Sequence, residues 1–261
     1  MKVLFIGDIV GKPGRSAVHA LLPGIVGQYG VDIVIANCEN AAGGFGVTKK
    51  IVDELYQDEI DILTSGNHIW DKKETRNFID DYETLLRPAN YPEGTAGKGS
   101  VVIDTRLGNA LGVLNLEGRV FMNPLDCPFR VAEREINIMK DKTDIIIVDM
   151  HAEATSEKEA LGWFLDGKVS TVLGTHTHVQ TADERVLPGG TSYITDIGMT
   201  GPMDSILGIK KEEALERFLT LLPNRFGVAK GDIRLQGVLI DIDDKTGKSL
   251  SIERLNIGME G

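Results

Sequence analysis

The sequence is short of several things, and each shortage excludes something. Two of its 261 residues are cysteine, Cys38 and Cys127. They lie far apart with no C-x-x-C spacing, which excludes a disulfide framework and a thiolate zinc site. Two reduced thiols in a cytoplasmic protein are the expectation. No apolar run approaches the ~18–20 residues that a membrane-spanning helix needs. The apolar stretch before Asp8 is too short for the core of a secretory signal. Basic residues are outnumbered, with 28 Lys and Arg against 39 Asp and Glu and a formal net charge of −11. That balance disfavours a broad basic surface tracking a long nucleic acid. It leaves room for a small anionic substrate at a locally positive site. Phosphate-binding fingerprints are also missing. In GDIVGKPG the glycine spacing is wrong for a P-loop, Pro13 follows Lys12 where Ser or Thr is required, and the dinucleotide pattern G-x-G-x-x-G is not met.

Glycine, by contrast, is abundant at 30 residues, without repeats or low-complexity stretches, as expected of many tight turns between regular elements. Short apolar, β-branched runs alternate with helical patterns. KVLFIGD opens the chain, and a helix follows from about 14 to 29, which Pro23 should kink or break. VDIVIANCE (31–39) leads into the glycine-rich AAGGFG (41–46), and Thr48 is placed to cap the helix KKIVDELYQ. DILTSGN (61–67) precedes a polar helical stretch. Residues 87–99 read as loop, and SVVIDTR with ALGVLNL reads as a hairpin. Then come a helix over 128–140, the strand DIIIVDMH (144–151), a helix near 156–165 and the strand VSTVLGTHTH (169–178). Short strands near 186 and 191–196, a helix near 210–221 and a strand pair, RLQGVLIDID and SLSIERLNI, complete the chain. This rhythm predicts an α/β fold with parallel βαβ units, antiparallel additions and mixed sheets, in a single domain over 1–261.

Five of the apolar runs end in residues able to bind a metal: Asp8; Glu39 and Asn40; Asn67 and His68; His151; His176 and His178. In open α/β sheets, ligand sites form at the carboxyl ends of the strands. Of five histidines, four lie at these ends, and only His19 falls elsewhere, within a predicted helix. Taken singly, each residue has a structural role open to it as a turn, a cap or a satisfied core histidine. His176 and His178 resist that reading, because positions i and i+2 of an extended chain face one side and aim both imidazoles into one space. The ensemble points to a metal site. Seven donors without His68 exceed what one first-row ion takes and suit two ions sharing a bridging carboxylate. Oxygen and imidazole donors without thiolate fit iron, manganese or zinc alike.

These motifs resemble a known family. Gly7-Asp8, Gly66-Asn67-His68, His151 after a strand and the run Gly174 to His178 resemble, in order, the motifs of the metallophosphoesterase (calcineurin-like) superfamily. Val10 stands where the usual D-x-H motif has histidine. Glu39, in NCENAAGGFG, stands where a bridging aspartate is usual, with Asn40 beside it. This altered set, with GMTGPMDSILG (198–208), is similar to the YmdB-like bacterial subfamily over essentially the whole chain.

The resemblance implies a four-layer α/β/β/α sandwich with two mixed sheets and a di-iron centre. It also implies a homo-oligomer and hydrolysis of small phosphodiesters, 2′,3′-cyclic nucleotides to 3′-nucleotides. It assigns Asp8, Glu39, Asn40 and His178 to one ion and Glu39, Asn67, His151 and His176 to the other. Water activated between the ions attacks phosphorus, and His68 acts as general acid. A phosphomonoesterase or nuclease on the same site, or a regulatory metal-binding protein with weak turnover, are the alternatives. AAGGFG serves either close backbone approach to substrate or turn geometry alone. Arg87 and Lys98 read as solvated surface charge.

Overall fold

The computed structural model describes residues 1–106 and 108–259. In chain order the elements are β1 (Lys2–Ile6), β2 (Asp8–Ile9), α1 (Gly11–Tyr29), β3 (Ile33–Asn37), α2 (Lys49–Gln57), β4 (Ile62–Thr64) and the short α3 (Thr75–Phe78). There follow β5 (Ser100–Asp104), β6 (Ala110–Glu117), α4 (Pro128–Lys140), β7 (Ile146–His151), α5 (Thr155–Leu165) and β8 (Thr171–Thr175). The chain continues with β9 (Arg185–Val186), β10 (Ser192–Ile194), β11 (Met199–Pro202), α6 (Lys211–Thr220), β12 (Ile233–Ile242) and β13 (Ser249–Gly258).

The strands form two mixed sheets. One runs β2-β11-β12-β1-β3-β4, with β13 pairing β12, and the other runs β5-β6-β7-β8-β10-β9. Neighbours β1, β3 and β4 are parallel, as are β6, β7, β8 and β10. The expected hairpins β5–β6 and β12–β13 are antiparallel. Strand periodicity sorts the apolar side chains into three cores. On β1, Val3 and Phe5 face the other sheet, meeting Leu111, Val113, Ile147 and Leu173. Their neighbours Leu4 and Ile6 face outward and pack under Val18, Leu22 and Ile25 of α1 and Val52 and Leu55 of α2. On the far side, Ile146, Val148 and Met150 of β7 pack under Val131 and Ile136 of α4 and Leu161 and Leu165 of α5. Three cores between four layers make the expected α/β/β/α sandwich. The parallel strands of both sheets bring their carboxyl ends to one edge, where the candidate residues stand. Among the described residues no helix is long and apolar enough to cross a membrane.

Several local expectations are corrected. The first helix begins at Gly11 and runs unbroken through Pro23 to Tyr29. Pro23 is exposed, and so is His19, whose carbonyl loses its i+4 donor and can bond water instead. The polar stretch after Asn67 is not a continuous helix. Separate turns, Asp71 N–H to His68 O and Thr75 N–H to Lys72 O, lead into four helical residues. The Asp71 carboxylate is bound locally to the His68 ring at 2.8 Å, and the buried Thr75 hydroxyl donates to Val47 O at 3.1 Å, a tertiary contact that anchors the segment. Arg87 is half-buried and not a free surface charge: its guanidinium donates to the carbonyls of Pro88, Thr95 and Ala96 and ties the 87–99 loop to itself. Lys98 does stand at the surface, paired with Glu83 at 3.2 Å. Thr48 caps α2 as expected, accepting from Ile51 N–H. Cys38 is buried and Cys127 half-buried, both free.

One buried ion pair holds the edge in shape. Lys158 of α5 and Asp196 are both wholly buried, with Nζ 2.8 Å from Oδ2. The same oxygen accepts from Thr177 N–H at 3.1 Å and Thr177 Oγ1 at 2.7 Å. Asp196 thus clamps the residue between His176 and His178, whose φ values of 96° and 63° are unfavourable for side chains with a Cβ. Removing one member of a buried pair strands the other charge. Lys158→Met is expected to lower unfolding free energy by about 3–5 kcal/mol in urea titrations. A loss under ~1 kcal/mol would show that the pair carries no such weight.

Candidate metal centre

Seven side chains, all buried or half-buried, and a flanking imidazole converge where the strands end. Asp8 follows β1 across Gly7, and Glu39 and Asn40 follow β3. Asn67 and His68 follow β4. His151 ends β7, and His176 and His178 follow β8. Every candidate residue from the sequence is therefore brought to this one edge. His19 stays apart on α1, exposed and 2.7 Å from Asp58.

The contacts fall into two groups. Around His151 Nε2 lie Glu39 Oε1 at 3.0 Å, Asn67 Oδ1 at 3.0 Å and His176 Nδ1 at 3.1 Å. Glu39, His151 and His176 form a set able to hold a metal ion. Around His178 Nε2 lie Asn40 Nδ2 at 3.1 Å and Asp8 Oδ1 at 3.7 Å. Glu39 Oε1 lies between the groups, 3.3 Å from Asn40 Nδ2. Gly66 makes the first group possible, since a Cβ there would sit 2.1 Å from His151 Cδ2.

This chemistry asks for cations. A ring nitrogen carries one proton at most, which cannot satisfy a carboxylate oxygen, an amide oxygen and a second imidazole together. Asp8 Oδ1 and Asn40 Oδ1 are buried without any hydrogen-bond partner, an expensive arrangement unless something positive binds there. The Asn40 amide can present oxygen in place of nitrogen by a half-turn. Electrostatics agree. Burial opposes charging His151, but Glu39 first, then Asp8 and Asp149, outweigh it and hold the ring up at about 9. Burial would raise Glu39, yet His151 and the His68 N–H outweigh that and bring it down to about 2. Burial and the charged His151 push His176 down to about 3. Burial pushes Asp8 upward. Without a cation, a proton on His151 is what offsets the carboxylates.

A supporting layer lies behind these residues, and the sequence reading missed it. His151 Nδ1 lies 2.9 Å from Thr175 Oγ1. Thr175 donates to Asp149 Oδ1 at 2.7 Å, and Thr64 Oγ1 and Asn37 Nδ2 donate to Asp149 Oδ2. Burial raises Asp149 to about 6. Leu207 O accepts from His178 Nδ1 at 3.0 Å, and Glu153 Oε2 is 3.2 Å from His176 Nε2. The findable signal was Asp149, two residues before His151 and on the same strand face. Such partners fix tautomer and ring orientation of metal-binding histidines.

His68 stands at the rim. Its N–H donates to Glu39 Oε2 at 2.9 Å, its Nδ1 faces Asp71, and its ring packs against Phe45 at 4.9 Å between centroids. It borders a cavity of about 240 Å³ shared with Glu39, Asn40, His176 and His178.

Comparison with known proteins gives consistent relatives. The chain is 54% identical over 257 residues to the 2′,3′-cyclic-nucleotide 2′-phosphodiesterase of Bacillus subtilis (strain 168), covering 98% of this chain and 97% of that protein. The crystal structure of a hypothetical protein from Thermus thermophilus superposes with a TM-score of 0.93 at 43% identity, covering 100% of both chains. That of a novel phosphatase from Mycoplasma pneumoniae does so at 0.93 and 35%, covering 99% of this chain and 93% of that one. A family model described as YmdB-like protein matches residues 4–255, and the chain belongs to that family.

Proposed function

We propose that this protein is a metal-dependent phosphodiesterase that hydrolyses 2′,3′-cyclic nucleotides to 3′-nucleotides. The observation that carries this reading is the crowding of electron-rich donors around His151 Nε2, with Glu39 placed between two such groups. The B. subtilis relative bearing a cyclic-nucleotide phosphodiesterase name supports the substrate class.

In this reading Asp8, Glu39, Asn40 and His178 hold one transition-metal ion. Glu39, Asn67, His151 and His176 hold the other, with iron favoured over manganese or zinc. Bound there, the ions supply an activated water and the positive charge that draws an anionic ester to an acidic protein. The protein's own residues do the rest. Thr175 and Leu207 O fix the rings of His151 and His178. The His68 N–H ties the acid's backbone to Glu39. Asp71 holds His68 Nδ1, which leaves Nε2 to give a proton to O2′ as the P–O2′ bond breaks. The phosphate then remains on O3′. The chain works as one domain over its length. The exposed Phe218 and Leu219 of α6, 74% and 83% accessible, support the homo-oligomer. The Mycoplasma relative's naming as a phosphatase favours, as a second reading, monoester cleavage at the same site. Product analysis on cyclic nucleotides and on 3′-nucleotides separates the two.

His68→Ala is expected to lower kcat on 2′,3′-cyclic AMP by about a hundredfold or more while elemental analysis still finds metal near the parent level. Full turnover would remove His68 from the chemistry, and metal loss would make its role structural. Glu39→Gln is expected to lose at least one ion per chain and nearly all turnover. Parent-like metal content and rate in that variant would sink the ligand assignment. Metal-loaded protein with no turnover on any phosphodiester would favour a regulatory metal-binding role.

A further inference from the structure

The cavity beside the candidate centre has two chemically different walls. One is formed by the imidazoles, amide and carboxylate already described. The other is apolar: Val10, Phe45, Leu207, Ile209, Phe226 and Val228. These residues come from four separate segments, and the wall is built by specific backbone contacts. Ile209 bridges to Ile206 and to Val228. Gly208, at φ 92°, lets its loop press onto Val10, where a Cβ would lie 2.8 Å from Cγ1. Gly44, at φ 104°, does the same against Val228 at 3.2 Å.

The side chains of this wall have nothing with which to read a hydrogen-bonding edge. Its six side chains carry no donor or acceptor. Several backbone groups around it are already engaged. The N–H of Gly44 donates to Asn40 O, that of Gly208 to Ser205 Oγ, that of Ile209 to Ile206 O and that of Gly227 to Glu213. The carbonyls of Leu207, Gly208, Ile209 and Gly227 accept from His178, Ala229, Ile206 and Lys210. Discrimination among bases needs unpaired polar groups that a wrong base would strand. Stacking on an aromatic face does not discriminate, because every base has a π-face.

We propose that this apolar wall, centred on Phe45 and Phe226, seats the nucleobase of the substrate by stacking and apolar contact, and makes the enzyme indifferent to which base it holds. The inference rests on the phosphodiesterase reading and extends it. Phe45 also touches the His68 ring, so the base seat adjoins the proton donor. The structure thereby assigns affinity to the nucleoside side of the ligand and chemistry to the phosphate side.

The test uses the full-length, metal-loaded protein and two readouts. Hydrolysis is measured on the 2′,3′-cyclic phosphates of adenosine, guanosine, cytidine and uridine, and on methyl riboside 2′,3′-cyclic phosphate, which has no base. Calorimetry measures binding of the matching 3′-monophosphates. The four nucleotides are expected to agree in kcat/KM within about tenfold, with the base-free ester about ten- to a hundredfold poorer, chiefly through KM. Phe226→Ala should narrow that gap in both readouts. A preference for one base above about a hundredfold, or equal handling of the base-free compound, would overturn the base seat. So would a Phe226→Ala loss of equal size with and without a base. Base-dependent binding with no hydrolysis of any cyclic ester would support the seat and overturn the phosphodiesterase reading instead.

Discussion

Three electron-rich atoms lie within 3.1 Å of His151 Nε2, and the ring has one proton at most to offer them. That constraint organises the rest of the structure. Donors so placed repel one another unless positive charge sits among them. The protein must therefore hold them together by covalent topology and packing. Two sheets stacked through a shared apolar core, each ending its parallel strands at the same edge, provide that restraint. Asp8, Glu39 and Asn67 come from one sheet, His151 and His176 from the other. The core of Phe5, Ile35, Ile147 and Leu173 between them fixes the spacing.

Holding the atoms close is not enough, because imidazoles rotate. The answer is a second set of hydrogen bonds, one per ring. Thr175, itself held by Asp149, lies against His151 Nδ1, Leu207 O takes His178 Nδ1, and Asp71 takes His68 Nδ1. For His151, His178 and His68, Nδ1 is engaged and Nε2 is left for function. His176 is reversed: its Nδ1 faces His151 while Nε2 meets Glu153.

The α/β rhythm and mixed pairing were legible in the alternation of apolar runs with helical patterns, while the four layers followed from the family resemblance; Val3, Leu4, Phe5 and Ile6 are all apolar, so their division between two cores was not. The convergence of donors was legible because parallel strands share one carboxyl edge. What escaped was set by particular side-chain contacts that no periodicity marks. The stretch after Asn67 has helical composition, but Asp71 is committed to His68 and the segment turns instead. Arg87 looks like a surface charge until the carbonyls of its own loop enclose it. β11 pairs with β2 and β12, and its MTGP sequence has no alternation to announce it. The Lys158–Asp196 pair joins residues 38 apart, and no local pattern marks a lysine for complete burial.

The loop carrying His176 and His178 connects stability to function. Two non-glycine residues with positive φ cost on the order of 1–3 kcal/mol each. Part of that is offset by Asp196, which binds Thr177 between them through both its N–H and its hydroxyl. In the proposed metal centre, a cation held by His176 or His178 would bind the folded loop and not the unfolded chain. It would therefore stabilise the strained conformation by mass action. The strain in turn keeps the rings from relaxing to extended backbone, where i and i+2 would both point to one side. Left-handed geometry at both positions separates the histidines between two groups of donors around Glu39. A strand that continued in extended form from Thr175 through His178 would have delivered both rings to the same group.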